Sequence, residues 1–191
     1  MARPRQIDRA AVLKASLAIA DERGLDGLTM QAVAQRLGVT PMALYRHVDN
    51  KGDLLDGVVE SLLDEMPTPR DDASWDEQLS ILGRAMRATA RRHPTVFPLL
   101  LALPATTPGA RRVRARVYEA LRRAGVGEAD VERVERLIST VVLGFAASEA
   151  SGRFRAHSRE VLDADYAALE HMVRVGLTSY MARDAADAAQ T

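Results

Sequence analysis

Residues 28–55 read LTMQAVAQRLGVTPMALYRHVDNKGDLL. Thr29 is placed to cap a short helix over 30–37, with Val33, Ala34 and Leu37 facing inward. Gly38 follows as its terminal glycine, and Val39 can plug the space between this helix and the next. Thr40 caps the second helix and Pro41 takes its first position, where a missing N–H costs nothing. That helix is expected to end near Val48. Two helices of this size joined by Leu37-Gly38-Val39 form a helix-turn-helix, which presents the N-terminal half of its second helix to a DNA major groove. Helical spacing turns Thr40, Met42, Ala43 and Arg46 outward, and Leu44 and Val48 inward. Tyr45, His47 and Lys51 bear donors at the edge, where phosphates would lie. Taken singly, Arg46 is a solvated charge and His47 a surface or packing residue. Within this arrangement Arg46 can reach guanine O6 and N7, and His47 can give a proton to a phosphate oxygen.

Outward from this stretch the chain reads as helices. One is predicted from Asp8 to Arg23 and stopped by Gly24. Another runs from Lys51 to Glu65 behind a cap at Asp49 or Asn50, and joins the reading head to the rest of the chain as a natural lever. The run 66–72, with two prolines, is a loop within one helical body. Further helices are expected over 74–93, 95–103, 110–124, 128–151 and 163–182, with a mobile break over 152–159. Sustained period-two alternation is absent, so strands are not expected. The fold class is all-α: a three-helix helix-turn-helix DNA-binding domain over 1–51, and a helical domain over 52–191.

Composition agrees with a globular protein. Of 191 residues 47% are hydrophobic and 27% charged, so wholesale disorder is not expected. Aromatics are 4%, which leaves a core of Leu, Val, Ile, Met and Ala. The formal charge is zero, yet residues 1–51 carry +3 and residues 52–191 carry −3. A basic head on an acidic body suits a nucleic-acid partner. Arg3 and Arg5 make a basic N-terminal arm able to touch phosphate or the minor groove. No run approaches the roughly 18 apolar residues of a membrane span, so no membrane partner is expected. The N-terminus lacks the apolar core of a signal peptide, which makes the cytoplasm the expected location. There is no cysteine, hence no disulfide, thiol catalysis or Cys-ligated zinc.

The segment resembles the TetR family of bacterial repressors. The resemblance rests on Gly24-Leu25-Asp26-Gly27-Leu28-Thr29, Val33-Ala34, Leu37-Gly38-Val39, Leu44-Tyr45-Arg46-His47-Val48 and Asn50-Lys51 with Leu54-Leu55. It implies that Thr29, Tyr45, His47 and Lys51 bind phosphates, and that Gln31, Thr40, Pro41, Ala43 and Arg46 approach base edges. The rest of the chain is more loosely similar to the tetracycline-repressor branch. The shared features are His93-Pro94, the Arg122-Arg123-Ala124-Gly125 helix end, and Leu143-Gly144-Phe145. That likeness implies a C-terminal domain for ligand binding and dimerisation. The chain departs from the branch after Gly152, where it is shortened, and lacks the full set of drug- and magnesium-binding residues. Tetracycline is therefore not implied.

The expected ligand contacts are Met86, His93, Phe97, Leu101, Tyr118, Val142 and Phe145, residue types shared by a core and an apolar ligand cavity. His93 reads equally as a helix end. The helix over 128–151 is apolar nearly all round, and burial on every side calls for a partner, or else for a central place in the core of one subunit. With the last helix it gives the expected homodimer face: Leu137, Val141, Gly144, Phe145 and Ser148, then Leu169, Met172, Val173, Leu177 and Tyr180. No cofactor, metal site or catalytic residue is expected. His93, His157 and His171 lack metal-ligand spacing, and there is no nucleophile elbow or phosphate-binding glycine loop. The many carboxylates have Arg three or four positions away, as solvated ion pairs do.

The reading is a ligand-responsive repressor that binds a palindromic, double-stranded DNA operator as a homodimer and leaves it when a small-molecule effector binds. The alternatives are a DNA-binding regulator with no ligand, and a helical protein–protein interaction module.

Overall fold

The computed structural model describes residues 7–102 and 106–188, with side chains of the last helix described through residue 182. Arg3, Arg5 and Pro104 lie outside the described residues. Within them the chain forms nine α-helices and no strand. By contacts it divides into two compact units, Met1–Glu65 with Arg92–Arg111, and Met66–Arg91 with Arg112–Thr191.

The first unit begins with α1 (Arg9–Gly27), capped by the Asp8 carboxylate accepting from Ala11 N at 2.7 Å. The helical backbone breaks at Gly24, where φ is 75°, before a last turn to Gly27. The glycine stop read from sequence is thus present, and the chain resumes a turn beyond it. Then come α2 (Met30–Leu37), α3 (Pro41–Leu44) and α4 (Lys51–Asp64). Val12, Ile19, Leu28, Val33, Leu54, Val58 and Leu62 are all but fully buried and form the core of this unit. Each such side chain contributes about 1.5–3 kcal/mol relative to leaving it in water. α4 packs on α1, and Gly57 lets the two backbones approach: a Cβ there would collide with Leu13. α4 therefore packs within the first unit. The unit is completed by the segment after α5, where Val96 and Phe97 are fully buried, and by the short α6 (Leu99–Ala102).

In the second unit, Ser74 lies at the start of α5 (Trp75–Arg92). Its hydroxyl accepts from Glu77 N at 3.4 Å and donates to Asp76 at 2.6 Å. Thr107 caps α7 (Pro108–Ala124), with proline again at the first helical position. α8 (Val131–Ala150) and α9 (Arg159–Ala188) follow. Leu121, Val126, Val131, Val134 and Leu177 make the buried cluster that joins α7, α8 and α9.

One expectation needs correction here, and another gains detail. The residues of the break expected over 152–159 separate α8 from α9. They form turns closed by Arg155 N to Gly152 O at 3.1 Å and His157 N to Phe154 O at 2.9 Å. Phe154 is pinned on Phe145, ring centroids 5.6 Å apart. The carboxylates were read as partners of arginines on their own helix. Arg123 and Glu119 do pair that way. The buried pair does not: Arg87 of α5 donates to Glu149 of α8 at 2.6 and 3.0 Å, and each side chain is 8% exposed. Arg91 joins Glu149 at 2.6 Å and Asp163 at 2.7 Å. Contacts made 62 residues apart leave no trace in helical spacing.

Candidate DNA-reading face and ligand cavity

The helix-turn-helix closes as its residues dictate. Thr29 Oγ1 accepts from Ala32 N at 3.1 Å, and its hydroxyl proton stays available for an outside acceptor. Gly38 ends α2 with φ 70°, a left-handed turn that a side chain would strain. Gly38 N bonds Gln35 O and Val39 N bonds Ala34 O, which satisfies the last carbonyls of the helix. α3 is four residues, shorter than the helix expected to Val48, and continues as a turn through His47. So short a helix has little stability of its own and depends on its anchors. Those anchors are Leu44 and Val48, 0% and 1% exposed.

The opposite side is free for a partner. Gln31, Thr40, Pro41, Met42, Tyr45, Arg46 and Lys51 are exposed, and Ala43 and His47 are half-buried. Met42 is 74% and Tyr45 50% exposed, large values for apolar and aromatic side chains. Thr40 makes no capping bond with its side chain. Lys51 opens α4, whose N-terminal N–H groups and dipole favour a phosphate. Asn50 caps this helix by accepting from Asp53 N at 3.1 Å.

Arg9 was not anticipated. It donates to the His47 carbonyl at 2.5 Å and to both Asp53 carboxylate oxygens at 2.6 and 3.0 Å. Asp53 also accepts from Asp49 N at 2.9 Å. The hydrogen bonds from Arg9 hold the Asp53 carboxyl below its ordinary value despite some desolvation. Arg9 thus ties α1 to the turn that carries His47. No sequence signal marks a partnership 38 and 44 residues apart.

The second unit holds a cavity of about 430 Å³, within the ~300–1,000 Å³ usual for ligand sites. α5 supplies Trp75, Leu79, Leu82, Gly83 and Met86, α7 supplies Val113 and Val117, α8 supplies Ile138, Val142 and Leu143, and α9 supplies Tyr166, Leu169 and Val173. Of the seven expected ligand contacts, Met86 and Val142 line it. Phe145 stands behind the wall, its ring tilted against that of Tyr166 with centroids 5.4 Å apart. Tyr118 packs on the α7–α9 cluster, with the Arg122 guanidinium 5.8 Å from its ring. The other three belong to the first unit. Phe97 is fully buried in its core, Leu101 is 51% exposed, and His93 Nδ1 lies 2.8 Å from Asp21 Oδ2. Sequence periodicity marks all seven as apolar or helix-end positions, but assigns none to a particular unit. Trp75 and Tyr166, which sequence reasoning passed over, are in the lining.

The expected dimer residues divide in two. Leu137, Val141 and Met172 are exposed, and a Cβ on Gly144 would meet nothing within 4 Å. Leu169 and Val173 line the cavity, Leu177 is buried in the α7–α9 core, Tyr180 accepts from Arg133 at 2.5 Å, Phe145 packs at a tilt on Tyr166, and Ser148 is half-buried.

A helix-turn-helix with an outward second helix, followed by a helical unit with an apolar cavity, defines a class of DNA-binding regulators. A model of bacterial regulatory proteins of the tetR family matches residues 12–58, and one of the tetracyclin repressor-like C-terminal domain matches residues 79–176. The chain belongs to the TetR family of transcriptional regulators. It is 33% identical over 140 residues to the HTH-type transcriptional repressor DrrR1 of Streptomyces coeruleorubidus, covering 72% of this chain and 52% of DrrR1. The match therefore spans about half of that relative's length. It is 30% identical over 168 residues to an HTH-type transcriptional regulator of Saccharopolyspora erythraea, covering 83% and 71% of the two chains. The structure of BioQ from Mycobacterium smegmatis has TM-score 0.78 at 30% identity, over 91% of this chain and 99% of that one. BioQ with its natural double-stranded DNA operator has TM-score 0.76 at 31% identity, over the same shares. Among the described residues no helix is long and apolar enough to cross a membrane.

Proposed function

We propose that this protein is a cytoplasmic transcriptional repressor that binds a palindromic operator as a homodimer and is released by a small-molecule effector. The observation that carries the reading is the α3 face, where Thr40, Pro41, Met42 and Arg46 are exposed while Leu44 and Val48 are buried beneath them. A helix anchored by one side and bare on the other suits a major groove. BioQ, similar over 91% of this chain, is solved with its operator, which supports a DNA partner. Base contacts fall to Gln31, Thr40, Pro41, Met42, Ala43 and Arg46, and phosphate contacts to Thr29, Tyr45, His47 and Lys51. A second copy is the partner for α8 and α9. Leu137 and Val141 are 63% and 46% exposed, Met172 and Val175 are 62% and 46% exposed, and Gly144 and Gly176 leave open space beside them. Two-fold symmetry then demands a palindrome.

The effector site is the α5–α9 cavity. α7 is the relay in this reading. Its first turn is held at Gly109 N by Glu60 of α4, at 2.8 Å, and its next turns supply Val113 and Val117 to the cavity wall. An effector releases DNA only by binding more tightly to the conformer whose heads are wrongly spaced, with a coupling of about 1–3 kcal/mol.

Two substitutions test the face. Lys51→Ala is expected to weaken binding to operator and random duplex alike, and to flatten the salt dependence by roughly one unit. Arg46→Ala is expected to cost about 1–3 kcal/mol on the operator and to relax preference at one base position. Fluorescence-anisotropy titrations across salt concentrations measure both. A sequence-selective loss for Lys51→Ala, or equal losses on both duplexes for Arg46→Ala, contradicts the assignment.

A further inference from the structure

Among the described residues, the wall of the α5–α9 cavity includes a fully buried side-chain oxygen that no neighbouring protein group satisfies. Tyr166 is 3% exposed and its Oη has no hydrogen-bond partner. Its ring is held by Phe145 at 5.4 Å and by the Arg87 guanidinium at 4.6 Å from the ring centroid. Its hydroxyl faces Gly83 of α5, where a Cβ would come within 2.9 Å of Oη. Glycine at that position leaves to the oxygen the space a side chain would take. A buried hydroxyl without a partner is costly, and it becomes an anchor when a ligand supplies the missing bond.

Among the charged groups of the lining, Arg84 and Glu170 are already engaged with each other. Glu170 accepts from Ser80 at 2.7 Å and from Arg84 at 2.8, 2.9 and 3.1 Å. Asp76 accepts from Ser74 at 2.6 Å, and Arg174 lies against His171 at 3.0 Å. A charged ligand set against the Leu, Val and Ile side chains of the wall would lose its hydration unpaired, and one that displaced Arg84 or Glu170 would break their pair, both unfavourable. Burial, and then the nearby Glu170 carboxylate, pushes the Tyr166 phenol up, so its hydroxyl keeps its proton and can donate.

We propose that the cavity takes an uncharged, largely apolar molecule bearing a carbonyl oxygen, which accepts a hydrogen bond from Tyr166 Oη. Tyr166 is then the residue that selects among apolar effectors. This rests on the reading of the cavity as the effector site.

Benzophenone and diphenylmethane test it, because they match in shape and differ in the carbonyl. Trp75, the one tryptophan of the sequence, lines the cavity and reports occupancy by its fluorescence. Quenching by benzophenone gives its affinity, displacement gives that of diphenylmethane, and photo-cross-linking gives the place. Without a specific bond the more apolar diphenylmethane binds better. With it, benzophenone is expected to bind about 3–10-fold tighter, and Tyr166→Phe, which keeps the ring and its packing, to abolish that preference. Cross-links are expected on α5 and α8, at Met86 among others. If cross-links fall there but the carbonyl preference is absent, or survives in Tyr166→Phe, the inference is wrong and the cavity reading stands. If para-benzoylbenzoate or para-aminomethyl benzophenone binds more tightly than benzophenone, the uncharged class is wrong. If cross-links fall outside the cavity or Trp75 is not quenched, the cavity reading fails and the inference with it.

Discussion

Glu149→Ala is expected to destabilise the second unit by about 3–5 kcal/mol, since it strips the carboxylate from a buried ion pair and leaves its partners charged. Arg87 and Glu149 are each 8% exposed in their side chains, and Arg91 shares the same carboxylate. Without Glu149, Arg87 retains the Leu162 carbonyl at 2.8 Å and the half-exposed Asp163 at 3.0 Å, too little to offset its desolvation. The same guanidinium lies over Tyr166, so the loss also loosens a wall of the cavity. Urea unfolding followed by Trp75 fluorescence measures the change. A loss below about 1 kcal/mol would mean the pair behaves like a surface bridge. The pH dependence carries the same signature. Burial by itself pushes the Glu149 carboxyl up, but the hydrogen bonds from Arg87 and Arg91 outweigh it and leave the group below its ordinary value. Arg91 lowers Asp163 likewise. A carboxylate whose folded value is depressed stabilises above its unfolded value and ceases to do so as pH falls through the folded one. Stability is therefore expected to decline as pH drops through and below the usual carboxylate range, and Glu149→Ala to weaken that decline.

Leu44→Ala carries the second large effect. α3 has four residues and holds to the head by Leu44, fully buried, with Val48 just beyond it. Truncating a buried leucine costs about 2–5 kcal/mol, and here that cost falls on the docking of one short element. Operator affinity falls in proportion to the fraction of heads with α3 docked, so a loss of at least about tenfold is expected. The second unit should be untouched, and the Trp75 unfolding transition unchanged. Undiminished operator binding by Leu44→Ala would show that α3 is held by something other than this side chain.

What could be read from the sequence was local. The Thr29, Gly38 and Asn50 signals set the borders of α2 and the start of α4, and Pro41 the start of α3, because capping and turn chemistry act over a few neighbouring residues; the end of α3, expected near Val48, falls at Leu44. The outward positions of α3 followed from helical spacing. The cavity lining was less legible. Met86 and Val142, singled out by their apolar character, line the cavity, while His93, Phe97 and Leu101 share that character or a helix-end position and lie in the other unit. Tyr166 read as one more apolar residue on the face of α9, since nothing nearby in sequence says that its hydroxyl ends opposite Gly83. Arg9 with Asp53, and Arg87 with Glu149, escaped for the same reason: each pair is made by tertiary packing across tens of residues.

The central claim, sequence-specific recognition by a symmetric dimer, is tested most directly by incubating the purified protein with fragmented genomic DNA at physiological salt and sequencing what it retains. The account predicts enrichment of a single palindromic motif, with half-site centres about one helical turn or more apart. Retention of fragments with no common motif would contradict it, and would turn the search toward a protein partner for these helices.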